Sequence, residues 1–298
     1  MKKDLLSIGD LSKEEILALI DRAIEIKSQG RNANRSLEGY TLGLIFEKAS
    51  TRTRVSFEIA MFRLGGQTIF LNRSDTQMSR DENIHDTAKV LSRYIDALAI
   101  RTYSQDLLEE MAKNADIPII NALSDLYHPC QVLSDIMTVT EKKGSLNNIK
   151  IAWIGDGNNV AHSWITAAQV LGFELVLACP NGYQPLHEII ESSGKNIRVI
   201  DDPEEAARGA AVINTDVWAS MGQEDEENQR LADFRAYQVD AELVKLAEPD
   251  VVVMHCLPAH RGEEITSEVL DGPNSIVFDQ AENKLHLHQA LLEKIIAG

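Results

Sequence analysis

Cysteine is scarce: Cys130, Cys179 and Cys256 are the three in 298 residues, too few and too scattered for a disulfide framework or a Cys-x-x-Cys metal site. A reducing, cytoplasmic setting is expected, with no structural zinc. No uninterrupted apolar run approaches the roughly 20 residues that a bilayer-spanning helix needs, which argues against a membrane protein. Basic residues are also in deficit. With 29 Lys and Arg against 46 Asp and Glu, the net charge of −17 repels a nucleic-acid backbone over most of the surface. Low-complexity tracts and short repeats are missing as well. The first residues run quickly into Leu11-Ser12-Lys13-Glu14-Glu15-Ile16, a capping box entering an amphipathic helix and not a signal peptide.

What is present is a regular alternation of short β-branched runs with helical patterns, the signature of α/β architecture with parallel sheets covered on both faces. In the first half the expected strands are Thr41–Phe46, Gln67–Leu71, Ala97–Arg101 and Ile117–Asn121. Helical patterns occupy Thr53–Leu64, Ile84–Tyr94 and Leu107–Lys113, and another helix starts at Pro129. In the second half the expected strands are Lys150–Ile154, Glu174–Ala178, Ile197–Ile200, Val212–Thr215, Val251–His255 and Ser275–Phe278, followed by a last helix over Gln289–Ala297. The polar stretch Glu141–Asn148 reads as the break between two similar halves.

Parallel sheets bind ligands beyond the carboxyl ends of their strands. Directly after Phe46 comes Glu47-Lys48-Ala49-Ser50-Thr51-Arg52-Thr53-Arg54, then an apolar helical pattern. Ser50, Thr51 and Thr53 place hydroxyls at a helix N-terminus, where free N–H groups and the helix dipole favour an anion, and Arg52 and Arg54 add forked donors. A charged first turn alone leaves two arginines unexplained at the wrong end of the helix dipole, so phosphate binding is the stronger reading. Arg54 is the one expected to turn away, into a helix–helix or inter-subunit ion pair. Two more strand ends add donors: Arg101 closes one run, and His128-Pro129-Cys130-Gln131 opens a helix, with His128 and Gln131 suited to a carbonyl and an amide.

These motifs, with Asp216-Val217-Trp218-Ala219-Ser220-Met221-Gly222 and His255-Cys256-Leu257-Pro258 in that order, resemble those of the ornithine carbamoyltransferases, within the aspartate/ornithine carbamoyltransferase family, over nearly the whole chain. The resemblance implies an α/β protein of two domains, each a parallel sheet flanked by helices, with the active site in the cleft between them. It implies a carbamoyl-phosphate-binding domain over 1–143, onto which a C-terminal helix at about 285–298 packs back, and an ornithine-binding domain over 144–284. It further implies that Ser50, Thr51, Arg52, Thr53 and Gln77 hold the phosphate, while Arg101, His128 and Gln131 engage the carbamoyl end. By the same resemblance Asn159, Asp216, Ser220 and Met221 receive the α-amino and carboxyl groups of L-ornithine, and Cys256 and Leu257 stand where the substrates meet. Lys284 occupies the position of an arginine that the family directs at carbamoyl phosphate; it keeps the charge and loses the fork. A homotrimer or a multiple of it is implied too.

Acyl transfer to an amine needs an activated carbonyl, an uncharged nucleophile and a stabilised leaving phosphate, and requires neither metal nor cofactor. Arg101, His128, Asp216 and Cys256 are the expected catalytic groups, with Asp216 and Cys256 steering deprotonation of the amine. A covalent acyl-cysteine route is set aside because a deprotonated amine is itself a competent nucleophile. Three rivals stand beside this reading. A nicotinamide-dependent dehydrogenase is suggested by Gly155-Asp156-Gly157, but Val160 takes the place of the third fingerprint glycine. A non-catalytic sensor would keep the same groups. Transfer to putrescine or an N-acylated ornithine is the remaining alternative within the enzyme class.

Overall fold

The computed structural model describes residues 3–30, 35–72, 82–219 and 226–298. The chain divides into two compact units, Met1–Met137 with Glu282–Gly298, and Thr138–Ala281. In unit 1 the strands are β1 (Thr41–Phe46), β2 (Gln67–Asn72), β3 (Ala97–Arg101) and β4 (Ile119–Leu123), and the helices α1 (Lys13–Ser28), α2 (Thr51–Arg63), α3 (Ile84–Leu91), α4 (Gln105–Asn114) and α5 (Pro129–Lys143). Unit 2 has β5 (Lys150–Ile154), β6 (Glu174–Ala178), β7 (Ile197–Ile200), β8 (Val212–Thr215) and β9 (Val252–His255). Its helices are α6 (Asn159–Leu171), α7 (His187–Glu191), α8 (Pro203–Ala207), α9 (Glu227–Asp233), α10 (Ala241–Val244) and α11 (Ser267–Leu270). The long α12 (Val277–Leu292) carries the chain back from unit 2 into unit 1 and ends in a π-helical turn, Glu293–Ala297.

Both sheets are parallel, with orders β2-β1-β3-β4 and β7-β6-β5-β8-β9. The sequence explains which strands are central. All six residues of β1, Thr-Leu-Gly-Leu-Ile-Phe, are buried, as a strand covered on both faces requires. The edge strand β2 alternates exposed and half-buried positions over most of its length. Gly43 keeps β1 close to its neighbour: a Cβ there would stand 2.5 Å from Ile95 Cδ1 and 2.8 Å from Leu98 Cδ1. Ser12 caps α1, accepting from Glu15 N at 3.2 Å while Glu15 Oε2 accepts from Ser12 N at 2.9 Å, so that two otherwise unmet backbone donors are satisfied.

Two of the expected elements differ. Ser275–Phe278 is not a strand: Ser275 makes a single bridge to Val253, and α12 begins at Val277. Ile276 and Val277 are buried but Phe278 is largely exposed, so one apolar side of a helix start looks like a short β run. The last helix accordingly begins at Val277 and not at Gln289. The strand expected over Ile117–Asn121 lies two residues later, at Ile119–Leu123, because Pro118 has no N–H to give to a ladder. Among the described residues no helix is long and apolar enough to cross a membrane.

The core of unit 2 gathers Ala152, Ile154, Val176, Ile213, Val253 and Ile265 around the middle of its sheet. Ile213→Ala is expected to lower stability by about 2 to 5 kcal/mol, the cost of a cavity where the side chain is fully buried. Urea unfolding reads this directly, and a loss under about 1 kcal/mol would mean that the strand is not packed as described.

Candidate functional site

In each unit the chain reverses its direction of strand addition once, between β1 and β3 in unit 1 and between β5 and β8 in unit 2. Loops leaving such neighbouring strands diverge to opposite faces of the sheet and open a crevice at their carboxyl ends. The polar motifs fall at these two places.

In unit 1 the strand ends lie side by side, Phe46 beside Arg101 and Arg101 beside Leu123. Their loops are tied together by backbone bonds, Glu47 N to Arg101 O at 2.8 Å and Thr102 N to Leu123 O at 2.9 Å. The Glu47 carboxylate accepts from the Thr102 hydroxyl at 2.6 Å, which fixes the loop that leads into α2. Ser50 caps α2, its hydroxyl accepting from Thr53 N at 3.3 Å. Thr53 is buried, and Thr51 and Arg52 are exposed on the first turn. Arg54 forms its ion pair within its own helix and not with another helix, donating to Glu58 Oε1 one turn on at 2.9 Å, and stacks 3.6 Å above the Phe70 ring.

Behind this turn stands a buried polar group made by α5 and α12. The Lys284 ammonium, 4 % exposed, donates to Gln131 Oε1 at 2.8 Å, and Gln131 Nε2 donates to Asp135 Oδ1 at 2.8 Å. Arg101 and His128 are buried in the same unit. Burial, then the charges of Lys284 and Arg101, push the His128 imidazole well below its ordinary range, so it is neutral at physiological pH. Lys48 is a further buried cation, ion-paired with Asp125 and 4.0 Å above the Tyr103 ring. It sits two residues before the Ser-Thr-Arg-Thr-Arg run, a proximity in sequence that was its only signal.

Unit 2 repeats the construction with the opposite sign of charge. Ile154, Thr215 and His255 end adjacent strands in register. The residues that follow converge on one carboxylate. Asp216 Oδ2 accepts from Asn158 Nδ2 at 3.0 Å, and Oδ1 accepts from the Cys256 thiol at 3.1 Å and from Val217 N at 2.9 Å. Asn158 also caps α6, its Oδ1 accepting from Val160 N and Ala161 N at 2.9 and 3.2 Å. Asn159 is the first residue of that helix and is half-buried. Gly157 is required where it stands, because a Cβ would lie 2.2 Å from Pro185 N and 2.3 Å from Gln184 C.

His255, fully buried, accepts at Nδ1 from Leu257 N (2.9 Å), which puts the ring proton on Nε2 for a 2.9 Å bond to Glu264 Oε1. Both ring nitrogens are therefore engaged, and His255 has no lone pair to join Asp216 and Cys256 around a metal ion. Leu257 is held at φ 60°, a left-handed conformation that costs of order 1 to 3 kcal/mol for a residue other than glycine. Such strain persists only where neighbouring contacts fix it, and functional loops are where it collects. Gln77, Ser220 and Met221 lie outside the described residues.

Arg230, which the motif reading passed over, holds the chain at Trp218. Its Nη1 donates to Trp218 O at 2.7 Å and lies 3.3 Å from Asp156 Oδ2, while Nε reaches Glu226 at 3.1 Å. Asp156 is raised to about 6, chiefly by burial and against the pull of Arg230.

A protein built this way joins an α/β unit rich in buried cations to a second α/β unit whose strand ends present a carboxylate and a thiol. Residues 3–141 match the family model for the carbamoyl-P binding domain of aspartate/ornithine carbamoyltransferase, and residues 147–295 match the model for its Asp/Orn binding domain. The chain belongs to the aspartate/ornithine carbamoyltransferase family. It is 55% identical over 302 residues to the ornithine carbamoyltransferase of Desulfotalea psychrophila, with 99% of this chain and 100% of that protein covered. It is 52% identical over 301 residues to that of Bacillus subtilis, with 99% and 94% covered. Among solved structures, the ornithine carbamoyltransferase of Pyrococcus furiosus superposes with a TM-score of 0.95 at 49% identity, covering 100% of this chain and 98% of that one. That of Thermus thermophilus gives 0.92 at 40% identity, covering 99% of each.

The Asp156 carboxyl gives a pH-dependence whose sign is fixed. Between its ordinary 3.8 and about 6 the folded chain keeps a proton that the unfolded chain has released. The contribution is fully present below 3.8 and is lost as pH rises through about 6, a fall of about 3 kcal/mol. Asp156→Asn cannot titrate, so wild type is expected to lose stability relative to this variant between pH 4 and pH 7. Urea midpoints at both pH values test it, and an unchanged difference contradicts the assignment.

Proposed function

We propose that this chain is an ornithine carbamoyltransferase, moving the carbamoyl group of carbamoyl phosphate onto the side-chain amine of L-ornithine to give L-citrulline and phosphate. The observation that carries the reading is full-length identity near one half to proteins of that name, in a chain whose two units carry cations and a carboxylate at their respective strand ends. Ser50, Thr51, Arg52 and Thr53 hold the phosphate at the N-terminus of α2, where backbone N–H groups and the dipole favour negative charge. Gln77 joins them on the strength of the motif resemblance. Arg101, His128 and Gln131 take the carbamoyl end, and Lys284 adds a point charge. His128, kept neutral, donates an N–H to the carbonyl oxygen without competing for a proton.

Asn159, Asp216, Ser220 and Met221 receive the amino-acid end of ornithine, and Cys256 and Leu257 border the reacting carbon. The side-chain amine, with a reference pKa of ~10.4, must lose a proton before attack, which costs about 5 kcal/mol at pH 7. Asp216, with Cys256 donating to it, is the acceptor system that steers this step. Attack of the neutral amine on the carbonyl forms the C–N bond, the C–O bond to phosphate breaks, and Arg52 and the helix N-terminus take up the charge on the leaving group. Unit 1, Met1–Met137 with Glu282–Gly298, takes carbamoyl phosphate, and unit 2, Thr138–Ala281, takes ornithine. Three cysteines, none of them in a disulfide, fit a cytoplasmic setting.

Assembly as a homotrimer is part of the proposal. Val55, Ile59 and Phe62 stand at i, i+4 and i+7 along α2 and are all exposed, Phe62 by 74%. An apolar stripe on an otherwise covered helix calls for a partner surface, and a second copy supplies it. Phe62→Asp is expected to shift the mass found by light scattering from trimer to monomer; an unchanged trimer would place the interface elsewhere.

Two substitutions separate the substrate assignments. Arg52→Ala is expected to cost about 3 kcal/mol or more of transition-state stabilisation with an unchanged melting curve. Asp216→Asn is expected to raise KM for ornithine strongly while carbamoyl-phosphate binding stays as in wild type. Equal weakening of both substrates by Asp216→Asn would remove the assignment of unit 2 to the amino acid.

A further inference from the structure

His288 lies one helical turn beyond Lys284 on α12 and is fully buried within unit 1. Its ring stacks on Phe57, with centroids 3.7 Å apart and planes 12° from parallel. Nδ1 stands 2.9 Å from the Ser56 hydroxyl, which in turn lies 3.0 Å from the carbonyl oxygen of Thr53. Ser56 has one proton. A serine inside a helix gives it to a carbonyl of the preceding turn, so Nδ1–H of His288 is the donor to Ser56 Oγ. The proton on Nδ1 leaves Nε2 with a lone pair, and Nε2 is buried with no hydrogen-bond partner.

The charge acting on that ring belongs to Lys284, four residues earlier on the same helix. Burial and the lysine charge together keep the imidazole neutral.

We propose that His288 is a positioning residue for carbamoyl phosphate: through Ser56 it fixes the first turn of α2 at Thr53. This rests on the reading that unit 1 binds carbamoyl phosphate. The imidazole touches no reacting atom, so its effect passes through the helix turn that does the binding, and it should appear in one substrate only.

The test uses the full chain and three variants, His288→Leu, His288→Asn and Ser56→Ala. His288→Leu is expected to raise KM for carbamoyl phosphate about tenfold and to weaken its calorimetric Kd by a like factor, with KM for ornithine within about twofold of wild type. In His288→Asn the side-chain N–H takes the place of Nδ1–H, and most of the loss is recovered. Ser56→Ala reproduces part of the effect, and combining it with His288→Leu adds nothing beyond the single variants' larger loss, as expected for groups acting in series. A folded His288→Leu with unchanged carbamoyl-phosphate affinity overturns the inference, as does an equal rise in both KM values or an Asn variant no better than Leu. If His288→Leu does not fold, Ser56→Ala carries the same expectation and the same refutation. Wild type that bound no carbamoyl phosphate would overturn the assignment of unit 1 as well; wild-type binding untouched by the variants overturns only the role of His288.

Discussion

Positive charge buried at the strand ends of unit 1 is the constraint on which the rest of that unit depends. Moving an ammonium or guanidinium out of water costs several kcal/mol unless neighbours replace the lost hydration. Lys284 is met by an amide oxygen, that of Gln131, with the Asp135 carboxylate one hydrogen bond further back. Arg101 is held in the wall of the same sheet, and His128 gives up its proton instead of adding a third charge. In a chain whose net charge is −17, positive potential of this kind is local, made by a handful of side chains and one helix N-terminus.

Unit 2 applies the same topology to the opposite chemistry. Its strand ends gather hydrogen-bond donors around Asp216, so the fold itself orients the carboxylate. In the proposed reaction, preorganisation of this kind spares the cost of arranging dipoles at the moment of attack. The buried His255–Glu264 bond and the Leu257 N–H to His255 bond serve that end indirectly. They hold the backbone after β9 in a conformation that an unsupported leucine would leave, and Cys256 is placed by it.

Most of the fold is legible in the sequence because parallel strands buried on both faces are near-continuous apolar runs, as in Ala97–Arg101 and Glu174–Ala178, and each is followed by a turn and a cap. The misreadings have local causes: Pro118 delays β4, and a helix start rich in Ile and Val imitates a strand at Ser275–Phe278. The cap of α2 was legible at Ser50 because a hydroxyl stands there between a buried strand and an apolar helical pattern. What could not be read are the bonds made across sequence distance. Asn158 looks like a cap and is also the donor to Asp216, 58 residues away. Lys284 looks like a weakened arginine, yet its bond to Gln131 crosses 153 residues. Arg230 belongs to no motif and is defined by Trp218, Glu226 and Asp156 together.

The central claim is chemical, and the most direct measurement is of the products. Initial rates of phosphate release and of ureido-product formation, taken with carbamoyl phosphate and a panel of L-ornithine, putrescine, N-acetylornithine and L-aspartate, test it in one experiment. The account predicts rapid formation of citrulline from ornithine with one phosphate released per citrulline, and negligible product from the other three. Faster turnover of putrescine, N-acetylornithine or aspartate than of ornithine, or phosphate release without matching citrulline, would contradict it.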